Sequence, residues 1–126
     1  MTDIERRLQK ARESLAYARH ALAGDFAAEA GRAAYMAAYH AAQAFTLSRT
    51  GKLPKTHSGA RSEFSRLAQA EPAISRTYAA FLGRAYELKA FADYDQAQPV
   101  TSAGAADAIN EAGCFVELIA AQLASD

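Results

Sequence analysis

One histidine, His40, lies in a segment that contains no other group ionising near neutral pH, from Arg32 to Arg49. Alanine and aromatic residues fill most of this segment. An imidazole gains or loses a proton near pH 7 and is the commonest side chain for proton transfer. The plainer interpretation is a core or interface histidine whose ring nitrogens are paired with tyrosine or glutamine side chains.

A second group of polar residues lies in the segment KTHSG, which follows Pro54 and ends in Gly59. Backbone amides at the start of a helix bind anions, so Lys55, His57 and Ser58 could hold a phosphate there. The alternative is a loop packed on its neighbours, with His57 as a capping hydrogen-bond partner. The segment is too polar and too rich in Pro and Gly to be the middle of a helix.

The elements that carry these residues are predicted to be five helices. Apolar residues recur every three or four positions in each, which is the helical period. Thr2 and Glu5 have the spacing of a capping box, and Asp25 is a plausible N-cap for the second helix, which runs to Thr50 with Gly51 as its stop. The third helix ends before Pro72, and the fourth includes Ile74.

The predicted inner residues are Ile4, Leu8, Ala11, Leu15, Ala18 and Leu22 in the first helix, Phe64 and Leu67 in the third, Ile74, Tyr78, Phe81, Ala85, Leu88 and Ala92 in the fourth, and Ala105, Ile109, Ala112, Val116, Ile119 and Leu123 in the fifth.

The segment DYDQAQPVTSAG is predicted to be the last loop, with Thr101 or Ser102 as the cap of the fifth helix. Together these patterns predict an all-α fold, an up-and-down bundle of about five helices in one domain over residues 1–126. No repeat or linker-like segment suggests a division.

The second helix has no obvious solvent face, because residues 33–48 contain no Lys, Arg, Asp or Glu. A helix that is apolar almost all round is buried against several neighbours or in a subunit interface. Two explanations are open: a homodimer covers it, or the other four helices surround it within one monomer.

Composition excludes several classes of protein. The 14 basic and 14 acidic side chains cancel, which removes the strongest argument for nonspecific nucleic-acid binding. One cysteine, Cys114, cannot form an intramolecular disulfide, and a cytoplasmic location is expected. The sequence predicts no secretion signal, membrane span, metal site or cofactor.

Three motifs, in this order and spacing, carry a family resemblance: AAYMAAYHAAQAF on the second helix, KTHSG in the next loop, and AYELKAFADY at the end of the fourth helix. Taken together, they resemble the HEPN superfamily, specifically its small single-domain prokaryotic members. The resemblance implies a helical bundle that forms a homodimer with a cleft between protomers. It also implies a metal-independent ribonuclease toxin paired with a small nucleotidyltransferase, or an inactive module that binds nucleotide or RNA.

The resemblance implies roles for individual residues. His40 matches the histidine that would take a proton from a ribose 2′-hydroxyl, and an arginine upstream would stabilise charge on the phosphate. Active members have four to six residues between that arginine and the histidine, whereas seven separate Arg32 from His40 here. Arg32 therefore lies about 80° away from His40 around the helix, and it could instead pair with Glu29 or Asp25.

The remaining candidates support these residues. Lys89 stands where the family often has arginine, and it is a phosphate-binding candidate that lacks a bidentate fork. Asp93 and Tyr94 are expected to pin the loop against the bundle, while Glu87, Lys89 and Asp93 could equally be a solvated charge cluster. Tyr35 and Tyr39 are supporting residues beside His40, although aromatic residues at helical spacing are more often core.

Three functions are consistent with the sequence. The favoured one is a module that binds nucleotide, RNA or a nucleotidyltransferase partner, because the arginine spacing departs from the motif. The second is a metal-independent ribonuclease toxin that uses His40 with Arg32. The third is a purely structural helical dimer in which His40 belongs to the core.

Overall fold

The computed structural model describes residues 1–74, 76–94 and 100–125. Five α-helices follow one another in these ranges: α1 (Asp3–Ala23), α2 (Ala27–Thr50), α3 (His57–Ala68), α4 (Arg76–Tyr94) and α5 (Ser102–Ala124). The prediction of an all-α bundle is confirmed. The predicted loop after α4 falls largely on residues 95–99, and these, like the side chain of Tyr94, lie outside the described part of the chain.

Local signals in the sequence set several helix ends. Thr2 and Glu5 form the predicted capping box, in which each side chain accepts a hydrogen bond from the other's backbone amide. Thr101 caps α5 by accepting from the amide of Gly104 at 2.9 Å. Gly51 ends α2 with φ 73°, a left-handed conformation that favours glycine.

Two predictions about helix ends are wrong. Asp25 does not cap α2: it has φ 69° and belongs to the turn that closes α1, where its amide donates to Leu22 at 2.9 Å. The N-cap of α2 is Phe26, whose side chain makes no capping hydrogen bond. Ile74 is buried, as predicted for an inner residue, but it lies in a turn before α4 rather than in the helix.

The core surrounds α2, which packs against each of the other four helices. More than half of its residues are buried, including Tyr35 and Phe45, both fully enclosed. At the centre of the bundle the Phe64 ring meets two others edge to face, with its centroid 5.6 Å from that of Phe45 and 5.4 Å from that of Phe115. One chain therefore supplies enough cover to explain the apolar surface of α2, and homodimerisation stays a prediction.

The predicted inner stripes agree with this core. In α1 and α5 the stripe residues are buried over the middle turns and partly exposed at the ends, as Ile4 and Leu123 show. Phe64 of α3 is fully buried, and Leu67 packs against the core from its edge. In the described ranges, none of the helices is both long enough and apolar enough to cross a lipid bilayer.

Candidate functional site

His57 is an exposed side chain that is nevertheless held in a fixed position. It is the first residue of α3, directly after the N-cap Thr56. Its ring stacks on that of Tyr39 with the centroids 4.1 Å apart and the planes at 8°. The hydroxyl of Tyr35 lies 2.8 Å from its Nδ1 atom. Two tyrosines one helical turn apart on α2 therefore anchor the imidazole against the bundle.

Lys55 and Ser58, the other candidates in this segment, are exposed beside His57. The Thr56 hydroxyl accepts from the amide of Gly59 at 2.9 Å, and the Thr56 carbonyl accepts from the amide of Ala60 at 2.9 Å. The first amides of a helix have no intrahelical acceptor, so those of His57 and Ser58 can serve a ligand or water. The segment thus has the amides and the cation that an anion site needs.

Arg61 is a residue of this site that sequence reasoning missed. Its guanidinium lies over the ring of Tyr86 at 3.7 Å and beside the hydroxyl of Tyr35. Its Nη1 atom is buried and has no hydrogen-bond partner within the described residues. Burial raises the pKa of Tyr35, and the neighbouring guanidinium opposes that rise. The only signal in the sequence is that Arg61 follows His57 by four residues, one helical turn.

His57 lies in positively charged surroundings. Burial lowers the pKa of His57, and the charges of Lys89 and Arg61 lower it further. Lys89 also binds Asp93, with 2.7 Å between Nζ and Oδ2. These effects favour the neutral form of the His57 imidazole, and a lysine and an arginine lie close enough to act on it.

His40 lies on the other side of Tyr39, with ring centroids 6.0 Å apart. It is half-buried, and its Nδ1 atom is 3.3 Å from Oε1 of Gln43. Burial lowers the pKa of His40, as do the positive charges of Lys10 and Arg7 on α1 and the proximity of His57, whereas the Gln43 contact works in the opposite direction. We call the surface formed by Tyr39, His40 and His57 the histidine face.

Arg32 is not brought to His40. Its Nε atom binds Oδ1 of Asp93 at 2.5 Å, its Nη2 atom donates to the carbonyl of Ala92 at 3.1 Å, and its Nη1 atom pairs with Glu29. Every nitrogen of this guanidinium therefore has an acceptor. Arg32 joins the first turns of α2 to the last turn of α4 and does not lie beside the imidazole of His40. The prediction that Asp93 pins the loop after α4 falls on residues 95–99, outside the described part of the chain.

The structure therefore divides the sequence candidates into two groups. The first is gathered on or around the histidine face and comprises Tyr35, Tyr39, His40, Lys55, His57, Ser58 and Lys89. The second, Arg32 and Asp93, forms the ion pair between α2 and α4, and Lys89 connects the two groups through Asp93. Among the described residues, His, Cys, Asp and Glu are nowhere grouped in threes that could hold a metal ion.

Comparison with known proteins supports the resemblance read from the three motifs. A family model described as the HEPN domain matches residues 4–122, which is nearly the whole chain. A comparison with curated proteins gave no significant match. Because the family model spans both the bundle and the histidine face, the chain belongs to the HEPN domain family.

Proposed function

We propose that this HEPN domain is a binding module for the phosphate groups of a nucleotide, either free or within RNA, and that the ligand occupies the histidine face. The observation that carries the proposal is the anchoring of His57. Its ring is exposed, yet it stacks on Tyr39 at 4.1 Å and bonds to Tyr35 at 2.8 Å. Holding an exposed side chain in one conformation costs conformational entropy in the free protein. A binding group that is already held loses less entropy when the ligand binds, which strengthens binding.

The charges around this face suit a phosphate. Lys55 is exposed two residues before His57 in the chain, and the charges of Arg7 and Lys10 on α1 act on His40. Within the described residues, no ion pair joins these three cations to a carboxylate, although Arg7 is near enough to Asp3 to help lower the pKa of that carboxyl. The chain is neutral overall, and this local excess of positive charge supports selective anion binding better than nonspecific attraction.

The aromatic rings suit the base of a nucleotide. Stacking on an aromatic side chain contributes about 1–3 kcal/mol per base in single-stranded nucleic-acid complexes. The His57 ring is exposed while it stacks on Tyr39, so a base can reach it from solvent. Binding rather than cleavage is favoured because Arg32 is occupied by Asp93, Glu29 and the Ala92 carbonyl.

Metal-independent ribonuclease activity is the second candidate, and one observation favours it. His40 is partly exposed, and its lowered pKa favours the neutral imidazole, the form that acts as a general base. Incubation of RNA with the wild type in EDTA is the test. Cleavage that His40→Ala abolishes would establish the activity, and intact RNA at high protein concentration would remove it.

The partners suggested by the family, a second copy of this chain and a small nucleotidyltransferase, are part of the same proposal. Support comes from two large apolar side chains near the α1–α2 turn, Tyr17 and Phe26, which are 56% and 64% exposed. The two rings line the same groove, and aromatic side chains are enriched in the contacts between proteins. Light scattering of the wild type and of Phe26→Ser tests the homodimer. Identification of a small nucleotidyltransferase gene next to this one, followed by co-purification of the two proteins, tests the other partner.

The binding proposal is tested by fluorescence anisotropy with a labelled RNA hexamer, hexa-adenylate. We expect His57→Ala to weaken binding about tenfold, which corresponds to about 1.4 kcal/mol, because both the stacking surface and a hydrogen bond are lost. Lys55→Ala should weaken binding several-fold and reduce the salt dependence by about one ion. The matched controls are His20→Ala and Lys52→Ala, which alter exposed residues that are not among the groups acting on His40 and His57. Absence of binding by the wild type would refute the proposal.

A further inference from the structure

A polar groove of about 470 Å³ lies between α3 and α4. On its α4 side the lining residues are small or apolar, and on its α3 side they are two arginines, two serines and a glutamine: Arg61, Ser62, Ser65, Arg66 and Gln69. The α3 residues follow one face of the helix over two turns, a length of about 12 Å. None of the described residues that line the groove is acidic. The groove therefore offers positive charge and hydrogen-bonding groups to whatever enters it.

Arg61 has a hydrogen-bond donor that the chain does not use. The guanidinium lies 3.7 Å from the centroid of the Tyr86 ring, and within the described residues no ion pair joins Arg61 to a carboxylate. Its Nη1 atom is enclosed and has no acceptor among those residues. A buried donor without an acceptor destabilises the fold. An acceptor that reached Arg61 from the groove would offset that cost.

Gly83 keeps the α4 side of the groove open. It is exposed in the interior of α4, where glycine is a weaker helix former than alanine. A Cβ atom at this position would meet no described atom within 4 Å beyond the backbone of its own helix, so packing inside the chain does not account for the glycine. A residue without a side chain lets another backbone come close to the helix. Gly83 therefore suits a groove that a second chain enters.

We propose that this groove is a docking site for an acidic segment of a partner protein, bound in an extended conformation along α3. Three or four extended residues cover its length. One carboxylate accepts from Arg61, whose guanidinium turns from the Tyr86 ring so that Nη1 gains an acceptor. A second carboxylate pairs with Arg66, in competition with Glu63, which holds this arginine in the free protein. Carboxylates suit both positions because a guanidinium can bind their two oxygens at once.

An acidic peptide fits the groove better than a nucleic acid does. None of the described residues that line it is aromatic, so it offers a base no ring on which to stack. The serine and glutamine side chains can instead bond to the amides and carbonyls of a peptide backbone. The histidine face contributes none of the described lining residues. This docking site is therefore separate from the proposed phosphate site and does not depend on it.

The first test uses a labelled hexaglutamate peptide and fluorescence anisotropy with the full chain. The wild type should bind this peptide at least tenfold more tightly than hexaglutamine, and binding should weaken as salt is added. Gly83→Glu places a competing carboxylate in the groove, in open space and with a better helix former, and should weaken binding at least tenfold. The matched control is Gly83→Gln, which has the same size without the charge and should lower the affinity by no more than about threefold.

Variants of the charged residues test the contacts one at a time. Arg61→Met should weaken hexaglutamate binding about tenfold, because a charge-assisted hydrogen bond is lost. Its control, Arg12→Met, alters an exposed arginine that pairs with Glu117 and should change the affinity by less than twofold. Glu63→Gln removes the carboxylate that competes for Arg66 and should tighten binding about two- to threefold. Thermal melts show whether each variant retains the fold.

The movement of Arg61 is observed in the NMR signals of the Tyr86 ring. These signals should shift as hexaglutamate is added, because the guanidinium leaves the ring. The ring signals of Tyr17 should stay in place, since within the described part of the chain α1 does not pack against α3 or α4. Tyr86 signals that stay fixed while the peptide binds would contradict the role of Arg61.

Other occupants of the groove give different results. Failure of the wild type to bind hexaglutamate, or equal binding by Gly83→Glu, would overturn the proposal. Succinate that binds as tightly as the peptide would assign the groove to a small dicarboxylate, and displacement of the peptide by hexa-adenylate RNA would assign it to nucleic acid. A wild-type dimer that Gly83→Glu dissociates would place a second copy there. Each of these results would refute docking of an acidic partner, and hexa-adenylate binding that depends on His57 would still support the proposed function.

Discussion

Substitution of Asp93 by asparagine tests whether the Arg32 guanidinium is a structural group. The Asp93 carboxylate accepts from Arg32 on α2 and from Lys89 one turn earlier on α4, the latter at 2.7 Å. Asparagine keeps the shape and one acceptor oxygen but removes the charge. The end of α4 would then be held to α2 by weaker hydrogen bonds.

The expected loss follows from the exposure of the three partners. Enclosed hydrogen bonds to charged groups contribute about 1.5–3 kcal/mol each, whereas exposed ion pairs contribute about 0–1 kcal/mol. Asp93 is 18% exposed, Lys89 28% and Arg32 31%, which places the cluster between these limits. We therefore expect Asp93→Asn to lower the free energy of unfolding by about 1–2 kcal/mol, and the melting temperature by roughly 3–10 °C.

The assay is urea denaturation of the two proteins over a range of pH. The ammonium of Lys89 and the guanidinium of Arg32 hold the pKa of Asp93 below its usual value. A lowered carboxyl pKa stabilises the fold at pH values above the pKa of the unfolded chain, and this contribution is lost as the pH falls through the lowered pKa. The difference between wild type and Asp93→Asn should therefore be constant near neutrality and shrink below about pH 4.

Glu63→Gln is the matched control. Glu63 pairs with Arg66 within α3, and the arginine is 65% exposed, so its neutralisation should cost less than about 0.5 kcal/mol. Equal stability of Asp93→Asn and wild type at pH 7 would contradict a structural role for the Arg32–Asp93 pair. A difference that stays undiminished at pH 2 would contradict its electrostatic origin.

Two further predictions concern the core and the histidines. Phe64→Ala should lower the free energy of unfolding by about 3–5 kcal/mol, measured by chemical denaturation, because the ring is fully buried between Phe45 and Phe115; a cost below 1 kcal/mol would contradict this packing. The pKa values of His40 and His57 are lowered in the folded protein, so as the pH falls these histidines bind protons in the unfolded chain before they do in the folded one. The free energy of unfolding should therefore decrease as the pH drops below about 6.5. The slope of the free energy of unfolding against pH should diminish in His40→Gln. An unchanged slope would show that His40 titrates normally.

The fold could be predicted from the sequence because its signals are local. The three-four spacing of apolar residues, the capping box at Thr2 and the glycine at 51 each act within one or two helical turns. The wrong predictions depend on how segments meet. Asp25 is a good N-cap residue, but the tight turn places it in the left-handed conformation that closes α1, and Ile74 reaches the core from a turn.

The candidate site could be predicted only in part. His40 and His57 stood out because each is a histidine in an unusual setting, but their contacts link positions far apart in the chain. Tyr35 and His57 are 22 residues apart, and Arg7 and Gln43 are 36 apart. Arg7 and Arg61 carry no signature, since polar residues on an amphipathic helix are expected at the surface. A glutamine partner for His40 was expected, and the structure identifies it as Gln43. Arg32 was a candidate through the family resemblance although its spacing to His40 departs from the motif, and only the fold shows that Asp93 binds it.

The most direct measurement of the central claim is an NMR titration of the three imidazoles with hexa-adenylate RNA. The chain provides its own control, because His20 is exposed on the last turn of α1, next to Gly24, in a pocket away from the histidine face. Binding at that face should shift the ring signals of His57 and His40 and leave those of His20 in place. Saturable shifts at His20 alone, or shifts of equal size at all three rings, would contradict it.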